Sequence, residues 1–93
     1  MLPAYRSKIR IYFDILRVLE DEGGKAKVTK LLYKANLSYN RLQRYLRKLE
    51  DSGLIEKDLE DNKPVYLLTR NGRRFIVEFY RIEEFLKAFG LAM

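Results

Sequence analysis

Side chains that can bind phosphates and base edges are concentrated between residues 38 and 48. Arginine and lysine attract phosphate, and arginine, asparagine and glutamine present paired polar atoms that match the edges of purine bases. The segment holds four cations, and no acidic residue occurs between Ser38 and Glu50. An ordinary solvated face is the alternative, but the one-sided charge favours a surface for a polyanion. The side chains concerned are Ser38, Tyr39, Asn40, Arg41, Gln43, Arg44, Arg47 and Lys48.

The apolar residues of the same segment predict the element that holds these side chains. They recur at the spacing of one buried helical face, at Leu42, Tyr45, Leu46 and Leu49. Ser38 can accept a hydrogen bond from a free N–H group of the first turn, and Gly53 suits the end of a helix. We therefore predict a helix over residues 38–52 with its cationic side turned away from the core.

Two helices are predicted before this one. The first runs from Ser7 to about Glu22, stops at Gly23-Gly24, and has an apolar face of Ile9, Tyr12, Phe13, Leu16 and Leu19. The second covers residues 25–35, and Asn36-Leu37 then break the periodicity. A plain helical hairpin usually needs a longer shared apolar face than the second helix offers. The short connection to a cationic helix therefore favours a helix-turn-helix.

The residues after Gly53 predict a β-hairpin. Residues 54–60 have the length and partial alternation of a strand, with Ile55 and Leu59 on one side. A turn is predicted at Asp61-Asn62-Lys63-Pro64, followed by a second strand over residues 65–68. Four acids and two lysines give residues 56–63 a net charge of −2. We therefore expect no more than the tip of the hairpin, with Lys63, to approach a polyanion.

A last helix is predicted from a cap at Thr69 to about Phe89. Gly72 lies in its first turn, where glycine costs helix stability, so we expect a close approach of its backbone to the body of the domain. Apolar residues recur here at the spacing of a coiled coil. One small domain can hardly cover them together with their apolar neighbours. We expect this set, the C-terminal stripe, to form a dimer interface: Phe75, Phe79, Ile82, Leu86 and Phe89.

Several of these segments resemble one known family. Residues 33–39, YKANLSY, with Gly53-Leu54-Ile55 and a later Leu68-Thr69 followed by Gly72, are similar to small archaeal winged-helix DNA-binding proteins and related predicted transcriptional regulators. The resemblance implies an α+β, mainly helical, winged helix-turn-helix: three helices, a β-hairpin wing and a C-terminal dimerisation helix. It also implies a homodimer, commonly through an antiparallel coiled coil. We expect one domain, with the body at residues 1–68, the wing at about 54–68 and the dimerisation helix at 69–93.

In a helix-turn-helix, side chains near the start of the second helix touch base edges in the major groove. The candidates for base contact are Tyr39, Asn40, Arg41, Gln43 and Arg44. The candidates for phosphate contact are Lys27, Lys30, Lys34, Ser38, Arg47, Lys48 and Lys63. Lys25 is a further plausible phosphate contact. Arg70, Arg73 and Arg74 form a further basic cluster, for which surface solubility with contact to the acidic hairpin is as plausible as DNA contact.

The composition narrows the classes of function. The chain of 93 residues has a net charge of +6 and neither histidine nor cysteine, which removes the commonest general base and the best nucleophile. We expect no catalytic residue, metal, cofactor or small-molecule ligand, and no membrane contact. The expected protein is cytoplasmic, nucleoid-associated and bound to double-stranded DNA as a transcriptional regulator. A non-specific architectural chromatin protein and a winged-helix protein–protein interaction module are the alternatives.

Overall fold

A computed structural model describes residues 6–91 of the chain. Its elements follow in the order α1 Lys8–Asp21, β1 Lys25–Lys27, α2 Val28–Ala35, α3 Tyr39–Asp51, β2 Ile55–Glu60, β3 Lys63–Leu68 and α4 Arg70–Ala88. The strands form one antiparallel sheet in the order β1-β3-β2. The predicted fold class is confirmed: a mainly helical α+β domain with a helix-turn-helix and a hairpin wing.

The prediction of a helix over residues 25–35 is wrong at its start. Lys25–Lys27 form β1, which pairs with β3 so that Ala26 lies opposite Tyr66. Gly23 and Gly24 both have positive φ and turn the chain back from α1. The Gly24 carbonyl then accepts a hydrogen bond of 2.8 Å from the Leu68 N–H. Pairing with a distant strand overrides the local helical pattern here, and α2 begins only at Val28.

The hairpin is confirmed, but its turn is tighter than predicted. Asp61 and Asn62 alone form the turn, both with positive φ, as in the two-residue turns that suit twisted hairpins. Lys63 and Pro64 therefore belong to β3. Ile55 is buried as predicted, whereas Leu59 is 60% exposed, because the far end of the hairpin extends beyond the helices that cover its base.

The core lies between α1, the helix-turn-helix and the sheet. On α1, Ile9 is exposed, contrary to the predicted face, and Ile11 and Ile15 are buried. The core side chains include Ile11, Ile15, Leu16, Leu19, Leu31, Leu37, Leu42, Leu46, Leu49, Ile55 and Ile76. Leu37, in the turn between α2 and α3, is buried among them. This packing fixes the angle between the two helices, which decides where the cationic side of α3 points.

The corner between β3 and α4 is held by Thr69. Its hydroxyl donates to the Gly53 carbonyl at 2.8 Å and accepts from the Gly72 N–H at 3.0 Å. The Thr69 N–H donates to the Leu54 carbonyl at 3.2 Å. The predicted cap at Thr69 is thus confirmed, and the start of α4 is tied to the segment that follows α3.

Candidate nucleic-acid interface

The outward side of α3 is a continuous cationic surface. Leu42, Leu46 and Leu49 are buried on one side of the helix, and this helical spacing turns the opposite side to solvent. Four cations there are exposed, and we call them the cationic face: Arg41, Arg44, Arg47 and Lys48. Within residues 6–91, the ion pairs formed do not include any of the four. Their charge is therefore not offset by an acidic partner.

The start of α3 brings the predicted base-contact residues to one end of this face. Ser38 is the N-cap, and its hydroxyl accepts from the Arg41 N–H at 3.4 Å. Tyr39 and Asn40 are exposed, while Gln43 is half-buried on the flank. The structure thus brings the polar residues of the first turn together with Arg41 and Arg44. Tyr45, expected in the core, is half-buried and packs edge-on against Tyr12, with ring centroids 5.2 Å apart.

Arg6, which the sequence pattern did not single out, holds the turn before α3. Asn36 adopts a left-handed conformation, with φ 56° and ψ 56°, and ends α2. The Arg6 guanidinium donates to the Ala35 carbonyl at 2.9 Å and to the Asn36 carbonyl at 3.0 Å. These carbonyls lie at the end of α2, where positive charge is favoured. Arg6 is 29 residues from Ala35, so no local periodicity could have indicated this contact.

The lysines predicted to contact phosphates have different environments. Lys25 pairs with Glu60, and Lys30 lies 3.9 Å from Glu22. The hydrogen bond that Lys25 donates to the Glu60 carboxylate, together with the charge of Glu60, raises the pKa of the Lys25 ammonium above its usual value. Lys27 and Lys34 are exposed, but Lys27 belongs to β1 rather than to α2. A groove between the start of α2 and the wing brings together Glu22, Lys25, Lys27, Thr29, Lys30 and Glu60.

Lys63 is exposed at the first position of β3, directly after the turn of the wing. It lines a second groove with Lys27, Thr29 and Pro64, so two of the predicted phosphate-contact lysines lie near each other. The exposed acids of β2, Glu56 and Asp58, lie along the outer strand of the sheet. Lys57 is also exposed on β2, between these two acids, so the cations of the wing region that lack neighbouring acids along the strand are Lys27 and Lys63 on the side that faces α2.

The basic cluster at the start of α4 is exposed. In the described part of the chain, Arg70, Arg73 and Arg74 form no ion pair with the acidic hairpin. A β-carbon added at Gly24 would lie 2.7 Å from an Arg73 guanidinium nitrogen, so this side chain covers the turn after α1. An ion pair between these arginines and the hairpin, one of the two alternatives that the sequence left open, is thus not formed among residues 6–91.

The C-terminal stripe divides into two parts. Phe79 stacks on Phe13 of α1, with ring centroids 4.0 Å apart, and Phe75 is half-buried beside it. Towards the end of α4, Ile82 and Phe89 are exposed and Leu86 is half-buried. Phe79 therefore belongs largely to the core of its own chain. The second part, with the neighbouring exposed Phe85, is uncovered apolar surface: Ile82, Phe85, Leu86 and Phe89.

Comparison with known proteins agrees with this architecture. A sequence profile described as winged helix-turn-helix matches residues 5–87, and the chain belongs to that family. The chain is 30% identical over 83 residues to the uncharacterized protein MJ0287 of Methanocaldococcus jannaschii, covering 89% of this chain and 79% of the relative. No helix within residues 6–91 is long and apolar enough to span a bilayer.

Two solved structures show how far the fold is shared. The crystal structure of Sso10a-2, a DNA-binding protein from Sulfolobus solfataricus, superposes with a TM-score of 0.77 at 31% identity, covering 91% of this chain and 90% of that one. A MarR-family transcriptional regulator from Silicibacter pomeroyi gives a TM-score of 0.72 at 21% identity, over 81% of this chain and 50% of that one. The second likeness concerns the fold alone. The resemblance to small archaeal winged-helix DNA-binding proteins is confirmed.

Proposed function

We propose that the protein binds double-stranded DNA by placing α3 in the major groove. The observation that carries this proposal is the cationic face, four exposed cations with no acidic partner within residues 6–91, on a capped helix that follows a tight turn. The major groove of B-DNA admits an α-helix, and arginine, asparagine and glutamine can each pair with a purine edge. The similarity to Sso10a-2, a DNA-binding protein, supports the same function.

Within this proposal the side chains divide by their position along α3. Those of the first two turns contact base edges: Tyr39, Asn40, Arg41, Gln43 and Arg44. Arg47 and Lys48, further along, contact phosphates, as do the exposed lysines Lys27, Lys34 and Lys63. Lys25 and Lys30 are paired with acids in the free protein, so they are less available for contact with phosphates. Contact between the wing and DNA is limited to the region of Lys63, since Glu56 and Asp58 repel phosphate.

We further propose that two copies of the chain associate through α4. Exposed aromatic and aliphatic side chains at Ile82, Phe85 and Phe89 form an apolar surface, and neighbouring exposed apolar side chains of this kind mark interaction sites. Pairing of this part of α4 with a second copy covers it. A homodimer presents two α3 helices to one duplex, which offsets the weak contact expected from one acidic wing. In this arrangement residues 69–93 are the dimerisation segment and residues 1–68 the body.

The biological role that fits best is transcriptional regulation within the nucleoid. The base-contact candidates at the start of α3 favour a protein that reads sequence over an architectural protein, which needs phosphate contacts only. A protein–protein interaction module would have no need of the unpaired cationic face. The base-contact candidates and the cationic face of α3 together support a regulator over both alternatives.

Titration of a labelled duplex at several salt concentrations tests the proposal. DNA binding predicts that the logarithm of the association constant falls linearly with the logarithm of salt concentration, because counterions are released from neutralised phosphates. Absence of binding to any duplex at low salt would contradict both DNA-binding roles. Random DNA that competes as well as a selected site would favour the architectural role.

A further inference from the structure

Four charged side chains form one continuous chain from α4 to the segment before α1. Glu83 on α4 accepts from Arg10 on α1 at 3.1 Å. Arg10 also lies 3.4 Å from the Asp14 carboxylate, one turn further along α1. The other oxygen of Asp14 accepts from Arg6 at 2.9 Å. Arg10 and Asp14 are thus each shared between two partners in this chain.

The far end of this chain is the turn that leads into α3. Arg6 donates to the carbonyl groups of Ala35 and Asn36 while it pairs with Asp14. Asn36 holds the left-handed conformation that ends α2, and two residues later Ser38 caps α3. Arg6 thus ties the end of α2, from which the chain turns into α3, to Asp14 on α1. Asp14 is held in turn by Arg10, which pairs with Glu83 on α4.

The burial of these groups sets them apart from ordinary surface ion pairs. The side chains of Arg6, Asp14 and Glu83 are 24%, 25% and 23% exposed, and that of Arg10 is 39% exposed. The pair of Glu84 with Lys87, one residue along α4, is 75% and 63% exposed. Partly desolvated pairs are screened less by salt than exposed ones. Arg10 is also fixed by the rings of Phe13 and Phe79, whose centroids lie 5.2 and 5.7 Å from its guanidinium carbon.

We propose that Glu83, Arg10, Asp14 and Arg6 are positioning residues for α3, and that they couple the orientation of the DNA-binding helix to α4. The inference rests on the proposed function of α3. None of the four belongs to the cationic face, and Glu83 is an acid, which by charge alone disfavours DNA. Loss of its charge nevertheless weakens DNA binding, because Arg10, and through Asp14 also Arg6, loses its fixed position.

The coupling predicts that removal of the negative charge of Glu83 weakens DNA binding, which is the opposite of what simple electrostatics predicts. Glu83→Gln and the control Glu84→Gln each remove one negative charge from neighbouring positions of α4. Simple electrostatics predicts that both bind a duplex as tightly as the unmodified protein or slightly more tightly. The proposed coupling predicts that Glu83→Gln binds about 3- to 10-fold more weakly, while Glu84→Gln does not. Equal affinities for the two variants would overturn the inference.

A double variant tests whether the effect passes through Arg6. Arg6→Lys keeps the charge but removes the planar fork that reaches the Ala35 and Asn36 carbonyls together with Asp14. If the chain transmits the effect, Glu83→Gln causes little further loss of affinity in the Arg6→Lys background. Fold-changes that multiply independently would show that Glu83 does not act through Arg6, and would overturn the coupling.

Hydrogen exchange separates this inference from the DNA-binding proposal, because it needs no DNA. The Leu37 N–H donates to the Leu32 carbonyl across the turn at 3.3 Å. Glu83→Gln should speed exchange at Leu37 relative to Glu84→Gln, with exchange at Leu46 in the middle of α3 unchanged. Equal acceleration of exchange at Leu37 and Leu46 would indicate a general loss of stability. No acceleration of exchange at Leu37 would indicate that Glu83 is not coupled to the turn. Either result would contradict the proposed positioning role of Glu83. If the unmodified protein binds no duplex, this exchange result decides the inference alone.

Discussion

Gly72 on α4 lies directly against the carbonyl oxygen of Leu54. A β-carbon at position 72 would fall well inside van der Waals contact with this oxygen and 2.5 Å from the Leu68 Cδ1 atom. Backbone and core side chain leave no space there. The close approach predicted from a glycine in the first turn of a helix is therefore confirmed.

This contact predicts that Gly72→Ala destabilises the protein in spite of the better helix propensity of alanine. Overpacking of a tight site costs about 1–3 kcal/mol, which outweighs the ~1 kcal/mol gained from propensity. Urea unfolding of the variant should give a lower free energy of unfolding. Asn71→Ala, at an exposed position of the same turn, is the control and should be neutral or stabilising. A Gly72→Ala variant as stable as the control would contradict the close packing.

The ion pair between Lys25 and Glu60 predicts that an acid on the wing limits DNA binding. Glu60→Gln should free the Lys25 ammonium for a phosphate and make the salt dependence of binding steeper, by about 0.9 in log–log slope for each bound chain or about 1.8 for the proposed dimer. Glu56→Gln removes the same charge from an exposed residue of β2 that has no lysine partner among the described residues. We expect this control to leave the slope unchanged. Equal slopes for the two variants would show that Lys25 makes no such contact.

Burial of Tyr66 predicts a loss of stability in alkali. Burial is the largest cause that raises the pKa of its phenol above 10.0, followed by the charges of Glu50 and Tyr39. The unfolded chain therefore deprotonates first. The contribution of Tyr66 to stability is full below its unfolded pKa and is lost as pH rises through the higher folded pKa.

Tyr66→Phe should accordingly reduce the fall in the free energy of unfolding between about pH 9 and about pH 11. Urea unfolding at several pH values measures this slope. Tyr33→Phe, the same substitution at a side chain that is 82% exposed, is the matched control. The same alkaline slope in Tyr66→Phe as in the unmodified protein would assign the effect to other groups.

The proposed dimer predicts opposite outcomes for two substitutions on α4. Ile82→Glu places a charge in the exposed part of the C-terminal stripe and should yield a monomer in light scattering, because burying an unpaired carboxylate is costly. Val77 is also exposed, but its helical position is on the opposite side of α4. Val77→Glu should leave the dimer intact. A dimeric mass for Ile82→Glu would place the interface elsewhere.

The sequence predicted the elements whose signals are local. Helix α3 follows from its leucine spacing with Ser38 at one end and Gly53 at the other, and α4 follows from Thr69 and its long apolar pattern. The strongly twisted turn of the hairpin was less well predicted, because Lys63-Pro64 after Asp61-Asn62 reads locally as a longer loop. The length of the turn follows from the pairing of Lys63 with Glu60 across the hairpin, which the local pattern of the sequence does not show.

The missed features depend on contacts between distant parts of the chain. Lys25–Lys27 form a strand only because β3, about forty residues later, offers a free edge. Arg6 holds the turn at Ala35 through side-chain geometry that has no periodic signature. The exposure of Leu59 and the burial of Phe79 likewise follow from how far the hairpin and α4 reach over the body.

The salt dependence of duplex binding shows whether the cationic face of α3 binds DNA. The double substitution of Arg47 and Lys48 by alanine should reduce the log–log slope by about 1.8 for each bound chain, or about 3.6 for the proposed dimer, since each phosphate contact contributes about 0.9. Substitution of Arg81 and Lys87 by alanine, both exposed on α4, removes the same charge and is the control. We predict a reduced slope for the α3 variant and an unchanged slope for the α4 variant. An unchanged slope for the α3 variant would contradict the assignment of these two residues and the DNA-binding role of the cationic face.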